Sequence, residues 1–134
     1  IMHEQIIILR KMPFHNFKDK KSKLVLNDLM KKEIANSVWH IAPMPPSYRR
    51  FHPAAFPEEI PYRLIQLYSN VGDIVLDPFV GSGQTTKMAR YLHRKYLGVD
   101  KSPKYVKTAK KRTLEQPSLR KMQLVPNWKK PEPL

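Results

Sequence analysis

The chain has 134 residues, enough for one small domain, and 41% of them are hydrophobic, which is enough to build a core. It carries 25 Lys and Arg against 11 Asp and Glu, and this net charge of +14 disfavours an acidic calcium-binding protein and favours a polyanionic partner. The absence of cysteine excludes disulfide scaffolds, Cys-ligated zinc and iron–sulfur clusters.

The N-terminal part begins with an apolar run and continues with a basic stretch. Gln5 to Arg10 is rich in β-branched residues, which predicts a short buried strand. This run is too short to cross a bilayer or to form a signal-peptide core, so we expect an intracellular protein without a membrane partner. From Arg10 to Lys32, eight Lys or Arg accompany only two acidic residues. We expect mostly loop there, with a short helix around Leu26 to Ile34.

The next segment, residues 43 to 61, holds six of the thirteen prolines. This density is incompatible with a continuous helix or a central strand, so the sequence predicts an extended connector. A helix is predicted to start near Pro57, because proline suits the first turn and the two following glutamates complement the helix dipole. Residues at helical spacing give this helix a predicted apolar face of Ile60, Leu64, Leu67 and Tyr68.

The middle of the chain alternates strand and helix patterns. Ile74 to Asp77 predicts a short buried strand, and a glycine turn then leads into a helix that continues to about His93. Tyr96 to Val99 predicts the next strand, ending in Asp100. Pro103 opens another helix, with an inner side of Tyr105, Val106 and Ala109. This order of elements predicts parallel strands joined by right-handed crossovers.

The glycine turn, Gly81-Ser-Gly83, would let a ligand approach the backbone beside a helix N-terminus. A P-loop is excluded, because Gln84 stands where that motif requires Lys, and the dinucleotide fingerprint is weak, because Thr86 replaces its third Gly or Ala. Asp77 could meet the ammonium group of an amino-acid ligand, and Asp100 lies about where ribose hydroxyls bind in nucleotide-type folds. These two carboxylates favour S-adenosylmethionine, and a plain structural turn stays the alternative.

Several motifs, taken in order, resemble the DNA amino-methyltransferases, which methylate the exocyclic amine of adenine or cytosine. Asp77 to Thr86 resembles the cofactor motif of that family. His52 to Glu59 resembles the preceding stretch, which closes over the methionine end of the cofactor. Val38 to Ile41 and Gly98 to Asp100 fall in the same order as in the family, and Ile6 to Lys11 resembles the last strand of its catalytic sheet.

The resemblance covers about residues 36 to 112 and implies an α/β, Rossmann-like methyltransferase fold with a mostly parallel sheet, of which this chain holds only part. It implies that Asp77 contacts the methionine amino group, that Asp100 holds the ribose hydroxyls, and that Phe79 packs near the adenosyl or sulfonium portion. It also implies that two glycines of the turn admit the cofactor and that a histidine, a proline and a phenylalanine line the methionine side. The full implied set is His52, Pro53, Phe56, Asp77, Pro78, Phe79, Gly81, Ser82, Gly83, Thr85, Asp100 and Lys101.

The catalytic tetrapeptide of the family is absent from this chain. It consists of Asp, Asn or Ser, then Pro-Pro and an aromatic residue; it orients the target amine and stacks on a flipped base. The nearest string, Met44 to Tyr48, begins with Met and places Ser47 before the aromatic residue, so it is rejected. With Ile1 as first residue, this predicts the C-terminal, cofactor-binding half of a restriction–modification type DNA methyltransferase, inactive alone, whose catalytic motif comes from an absent segment or a partner chain.

We therefore expect three parts. Residues 1–40 would hold the end of the catalytic sheet and part of a recognition or linker region, residues 41–116 the S-adenosylmethionine-binding α/β unit, and residues 117–134 a Pro-rich tail. Double-stranded DNA is the expected partner beside the missing half, in the cytoplasm of a prokaryotic cell. The phosphate-contacting candidates are Lys18, Lys20, Lys21, Lys23, Arg49 and Arg50.

Three alternatives stay open. The chain would otherwise be a non-catalytic basic module that binds nucleic acid or regulates through a degenerate methyltransferase fold. Phe56 and Phe79 would otherwise be core residues, and His52 a cap of the following helix. The ten Lys and Arg from Lys87 to Arg112 form either a solvated surface or a basic rim for DNA phosphates. The scattered histidines make metal binding improbable.

Overall fold

The structure, a computed structural model, describes residues 4–9, 11, 34–44, 46–47 and 51–117. In this part of the chain, three helices alternate with two strands. The elements are α1 (Glu59–Tyr68), β1 (Ile74–Asp77), α2 (Gln84–Tyr91), β2 (Lys95–Gly98) and α3 (Pro103–Thr113).

The two strands are parallel, and α2 is the crossover between them. In the register of the pair, Leu76 lies beside Leu97 and Asp77 beside Gly98. Hydrogen bonds continue the pairing past both ends, from Lys95 N to the Asp73 carbonyl (2.8 Å) and from Val99 N to the Asp77 carbonyl (2.9 Å). The predicted alternation of strand and helix is confirmed, with β2 beginning one residue earlier than the apolar pattern indicated.

The core lies where α1 packs on α2. Its buried residues come from both helices and from the segment that precedes them: Ile34, Tyr62, Ile65, Met88, Ala89 and Leu92. Burial in this core raises the pKa of Tyr62. The ionisation of that phenol is therefore coupled to the packing of the two helices.

The predicted inner face of α1 is wrong. Tyr68 at its end is 61% exposed, and Leu64 is only half-buried. Instead, the helix buries Tyr62, Ile65 and even Arg63. Hydrophobic spacing missed this face because Arg63 is buried together with its ion-pair partner Glu59 and lies over the ring of Trp39 (5.2 Å).

The predicted strand at Gln5 to Arg10 is not observed in the described residues 4–9, which belong to no strand. Their side chains are exposed, with Ile7 at 77% and Leu9 at 88%. A strand needs a neighbour to satisfy its backbone, and β1 and β2 pair with each other in the part of the chain that is described.

Other predicted segments fall on residues of less regular structure. Residues 41–44, 46–47 and 51–58 form no α-helix or strand, as the proline density predicted. The helix predicted around Leu26 to Ile34 lies outside the described residues apart from Ile34, and the Pro-rich tail lies outside them apart from Pro117.

One face of the sheet lacks a covering layer among the described residues. Val75 packs against the core on the side of α2. Its neighbours Ile74 and Leu76 point to the other face, where they are 70% and 58% exposed, and Leu97 beside them is 56% exposed. Parallel sheets of α/β proteins normally have both faces covered, so this apolar face is an unfinished layer of the fold. None of the helices within the described ranges is long and apolar enough to span a membrane.

Candidate functional site

The glycine turn lies at the carboxyl end of both strands. After β1, the backbone N–H of Phe79 donates to Asp77 Oδ1 (3.0 Å), and Val80 N donates to the carbonyl of Val99 beyond β2 (2.8 Å). Gly81 and Gly83 have φ angles of +49° and +86°, in the left-handed region that favours glycine. The chain therefore reverses direction here in a conformation that α2 then continues.

Asp100 is brought to this turn from the other strand. Its Oδ2 accepts a hydrogen bond from Gly81 N (3.0 Å), across nineteen positions of sequence. Its Oδ1 accepts from Ser102 N (2.8 Å), just before α3 begins. The carboxylate thus shapes both loops, while the remaining lone pairs of its half-buried oxygens can accept hydrogen bonds from a ligand.

His52 lies against the turn as well. A Cβ atom on Gly81 would be 3.3 Å from His52 Cδ2, so the imidazole occupies the space that a side chain would need. The ring also contacts Tyr105 of α3, with 4.6 Å between ring centroids. Its Nδ1 accepts a hydrogen bond from Ala54 N (3.2 Å). His52 therefore caps a local turn several residues before α1, rather than the helix itself.

Two glycines are required by packing within the protein. A Cβ on Gly83 would be 2.9 Å from Ala109 Cα, so this glycine admits the backbone of α3. A Cβ on Gly98 would be 2.7 Å from Val80 Cγ2, which means that β2 can lie against the turn only without a side chain there. Sequence reasoning assigned Gly83 to ligand approach and gave no role to Gly98. The close helix contact at Gly83 was not visible before α3 was placed.

The remaining predicted residues differ in exposure. Phe79 is 84% exposed at the open edge, so its alternative interpretation as a core residue is wrong, and Phe56 is 39% exposed. Ser82 is buried, and its hydroxyl donates to Gln84 Oε1 (2.9 Å). Thr85 is half-buried, while the side chains exposed near the two carboxylates and at the histidine are Pro53, Pro78 and Lys101. The phosphate-contact candidates Lys18, Lys20, Lys21, Lys23, Arg49 and Arg50 lie outside the described residues.

An open cleft of about 420 Å³ adjoins Asp100. It runs along α3, between Val106 and two lysines, Lys107 and Lys110. Within the described ranges, no group of three His, Asp or Glu gathers in a metal-binding arrangement.

A buried ion cluster, formed by Glu58, Lys87 and Arg112, supports the turn from behind. All three residues are at most 3% exposed. Glu58 Oε1 lies 2.8 Å from Lys87 Nζ and 3.5 Å from the Arg112 guanidinium. Sequence reasoning assigned Glu58 to the α1 dipole and missed this cluster, because its members are about 25 to 54 positions apart and no local pattern links them. The weak signal was a charged residue at an inward position of each helix.

Comparison with known proteins agrees with this geometry. The model of the DNA methylase family N6_N4_Mtase matches residues 1–111 of the chain. The chain belongs to this family.

Relatives of this DNA methylase include the orphan methyltransferase M.BamHII of Bacillus amyloliquefaciens, 51% identical over 61 residues, which are 46% of this chain and 23% of that protein. The type II methyltransferase M.MjaI of Methanocaldococcus jannaschii is 39% identical over 112 residues, covering 75% of this chain and 36% of its own length. The chain therefore spans about a quarter to a third of the length of these relatives.

A solved structure with a similar fold is TTHA0409 from Thermus thermophilus, a DNA modification methylase complexed with S-adenosyl-L-methionine. It is 33% identical, with a TM-score of 0.57, over 77% of this chain and 38% of that one. The two-stranded parallel sheet described here is thus part of a Rossmann-like methylase fold.

Proposed function

We propose that this part of a DNA methylase binds S-adenosylmethionine at the glycine turn and presents it to the exocyclic amine of adenine or cytosine in double-stranded DNA. The observation that carries the proposal is the hydrogen bond from Gly81 N to Asp100. It brings the carboxylates at the ends of both parallel strands to one edge, beside a turn of positive φ. In open α/β sheets, ligands bind at this carboxyl edge.

The chemistry of the residues present fits this cofactor. Asp77 and Asp100 offer two half-buried carboxylates to an ammonium group and to ribose hydroxyls, and both point their acceptors to the same edge of the sheet. Phe79, exposed between them in the turn, offers an apolar surface to the adenosyl or sulfonium portion. When bound, S-adenosylmethionine would supply an electrophilic methyl group, and this chain's role would be to hold and orient it.

The catalytic motif would come from the rest of the protein. Two features support this. The chain matches only 36% of M.MjaI, so most of a complete methyltransferase lies elsewhere. The sheet face with Ile74, Leu76 and Leu97 is apolar and exposed, and β1 pairs on one side in the described part of the chain. Further strands and helices that complete the sheet would cover this surface.

Calorimetric titration tests the cofactor assignment. S-adenosylmethionine and S-adenosylhomocysteine should bind, and NAD and ATP should bind poorly. Asp77→Asn and Asp100→Asn should each weaken binding by about 1–3 kcal/mol, since a ligand group loses its charged acceptor. Asp73→Asn is the matched control, because Asp73 precedes β1 at the opposite end of the strand, where it accepts from Asn70 N (2.8 Å).

The same titration is repeated with a chain that bears an Asp/Ser-Pro-Pro-aromatic motif, together with a DNA methylation assay. Activity of the mixture, and of neither chain alone, would support a divided active site. NAD binding equal to that of S-adenosylmethionine would overturn the cofactor assignment. DNA binding without any cofactor binding would favour the basic-module alternative.

A further inference from the structure

The glycine turn is held by a side chain that lies on its buried side. The guanidinium of Arg112, near the end of α3, is 1% exposed. Its Nη1 lies 2.9 Å from the carbonyl oxygen of Ser82 and 2.8 Å from Oε1 of Gln84. Nη1 carries two hydrogens, so it can satisfy both acceptors at once. Arg112 therefore ties the peptide between the two glycines to the first residue of α2.

The rest of the buried ion cluster fixes the position of this guanidinium. Its other terminal nitrogen lies 3.5 Å from Glu58 Oε1, which also pairs with Lys87 at 2.8 Å. The ring of Phe51 lies 4.6 Å from the guanidinium carbon. A buried cation loses much of its freedom when a carboxylate and an aromatic ring both contact it. The geometry of the turn is thus linked to the segment before α1.

We infer that Arg112 is a positioning residue for the cofactor: it orients the Ser82 peptide, and through it the N–H groups of the turn, toward the ligand. The inference rests on the proposed function, because the ligand in question is S-adenosylmethionine at this turn. Only a planar, forked donor makes both Nη1 contacts while facing Glu58 with its second nitrogen. A lysine keeps the charge but has a single nitrogen, so it does not reproduce this arrangement.

The chain contains a closely matched control. Arg63 is also 1% exposed, it pairs with a carboxylate at Nε (3.1 Å to Glu59 Oε1), and it lies over the ring of Trp39. These partners belong to α1 and to the segment before it, whereas Arg112 binds the turn itself. Arg63→Lys therefore measures the effect of altering a buried, ion-paired arginine as such. Arg112→Lys measures a similar effect together with the release of the turn.

The experiment compares Arg112→Lys and Arg63→Lys in the full 134-residue chain. Two quantities are measured at a temperature where circular dichroism shows both variants folded. They are amide hydrogen exchange from Gly81 to Gln84 without ligand, and the Kd for S-adenosylmethionine. We expect Arg112→Lys to accelerate exchange in the turn and to raise Kd about tenfold or more, since a small displacement of positioning groups has effects of this size. Arg63→Lys should leave both quantities close to those of the unchanged chain.

Gln84→Met is the second variant, for use if Arg112→Lys does not fold. It removes one acceptor of Nη1 and leaves the ion pairs in place, and it should accelerate exchange in the turn to a smaller extent. Equal exchange and equal Kd in the two arginine variants, or unchanged exchange in Gln84→Met, would overturn the inference and leave the proposed function intact. If the unchanged chain does not bind S-adenosylmethionine, the proposed function fails, and the exchange data alone decide whether Arg112 orders the turn.

Discussion

Replacing Gly83 by alanine should destabilise the fold for two reasons that can be separated. The φ of +86° costs an alanine about 1–2 kcal/mol, because its Cβ approaches the following carbonyl in the left-handed region. The new Cβ would also be 2.9 Å from Ala109 Cα and 3.1 Å from its carbonyl oxygen. These are backbone atoms of α3, so the helix must move away, at about 1–3 kcal/mol. The expected decrease in the free energy of unfolding is about 2–5 kcal/mol, the sum of the two effects.

Gly72→Ala is the matched control for this variant. Gly72 has nearly the same φ, +85°, and nothing lies within 4 Å of the position of its Cβ. It should therefore cost only the conformational term, about 1–2 kcal/mol. Urea unfolding followed by circular dichroism gives both values, provided that the slope with denaturant stays constant. Equal losses of stability in the two variants would refute the argument that Gly83 is required by its approach to α3.

Three further predictions concern other parts of the chain. Because burial raises the pKa of Tyr62 above that of an unfolded tyrosine, its stabilising contribution is present below about pH 10 and is lost as the pH rises further; the melting temperature of Tyr62→Phe should fall less steeply above about pH 10 than that of the unchanged chain. Phe79→Ala should change the free energy of unfolding by less than about 0.5 kcal/mol, as expected for a side chain 84% exposed, yet weaken S-adenosylmethionine binding, and unchanged binding would argue against its proposed role. Changing the exposed Lys104, Lys107 and Lys111 of α3 together to alanine should flatten the salt dependence of DNA affinity, by about one in the logarithmic slope for each lysine that binds a phosphate, and an unaltered slope would assign these lysines to the solvated surface.

The βα alternation was predictable from sequence because its signals are local. β1 was predicted at its observed bounds, since an apolar run is enclosed by a turn before Ile74 and by Pro78 after it. Asp77 and Asp100 were placed at one edge by the same logic, because parallel strands of a βαβ unit end on the same side. The start of α3 at Pro103 also follows from the local preference of proline for the first turn.

What the sequence did not predict depends on contacts between distant residues. Arg112 and Glu58 meet only after three helices have packed, and a charged residue gives no hydrophobic signal of being buried. Gly98 is required by Val80 of the turn, a neighbour 18 positions away. The strand predicted at Ile6 to Leu9 failed for the converse reason: its composition is favourable, but strand formation depends on a pairing partner.

The short chain distance between the two carboxylates has an evolutionary consequence. Asp77, the turn, α2 and Asp100 occupy 24 consecutive residues, and they are joined by one crossover within a single sheet. Such a unit keeps its internal geometry wherever it stands in a longer chain, because no connection outside it is needed to bring its two ends together. The order in which a gene encodes this unit and the other parts of the protein can therefore be rearranged without rebuilding the edge on which the carboxylates lie.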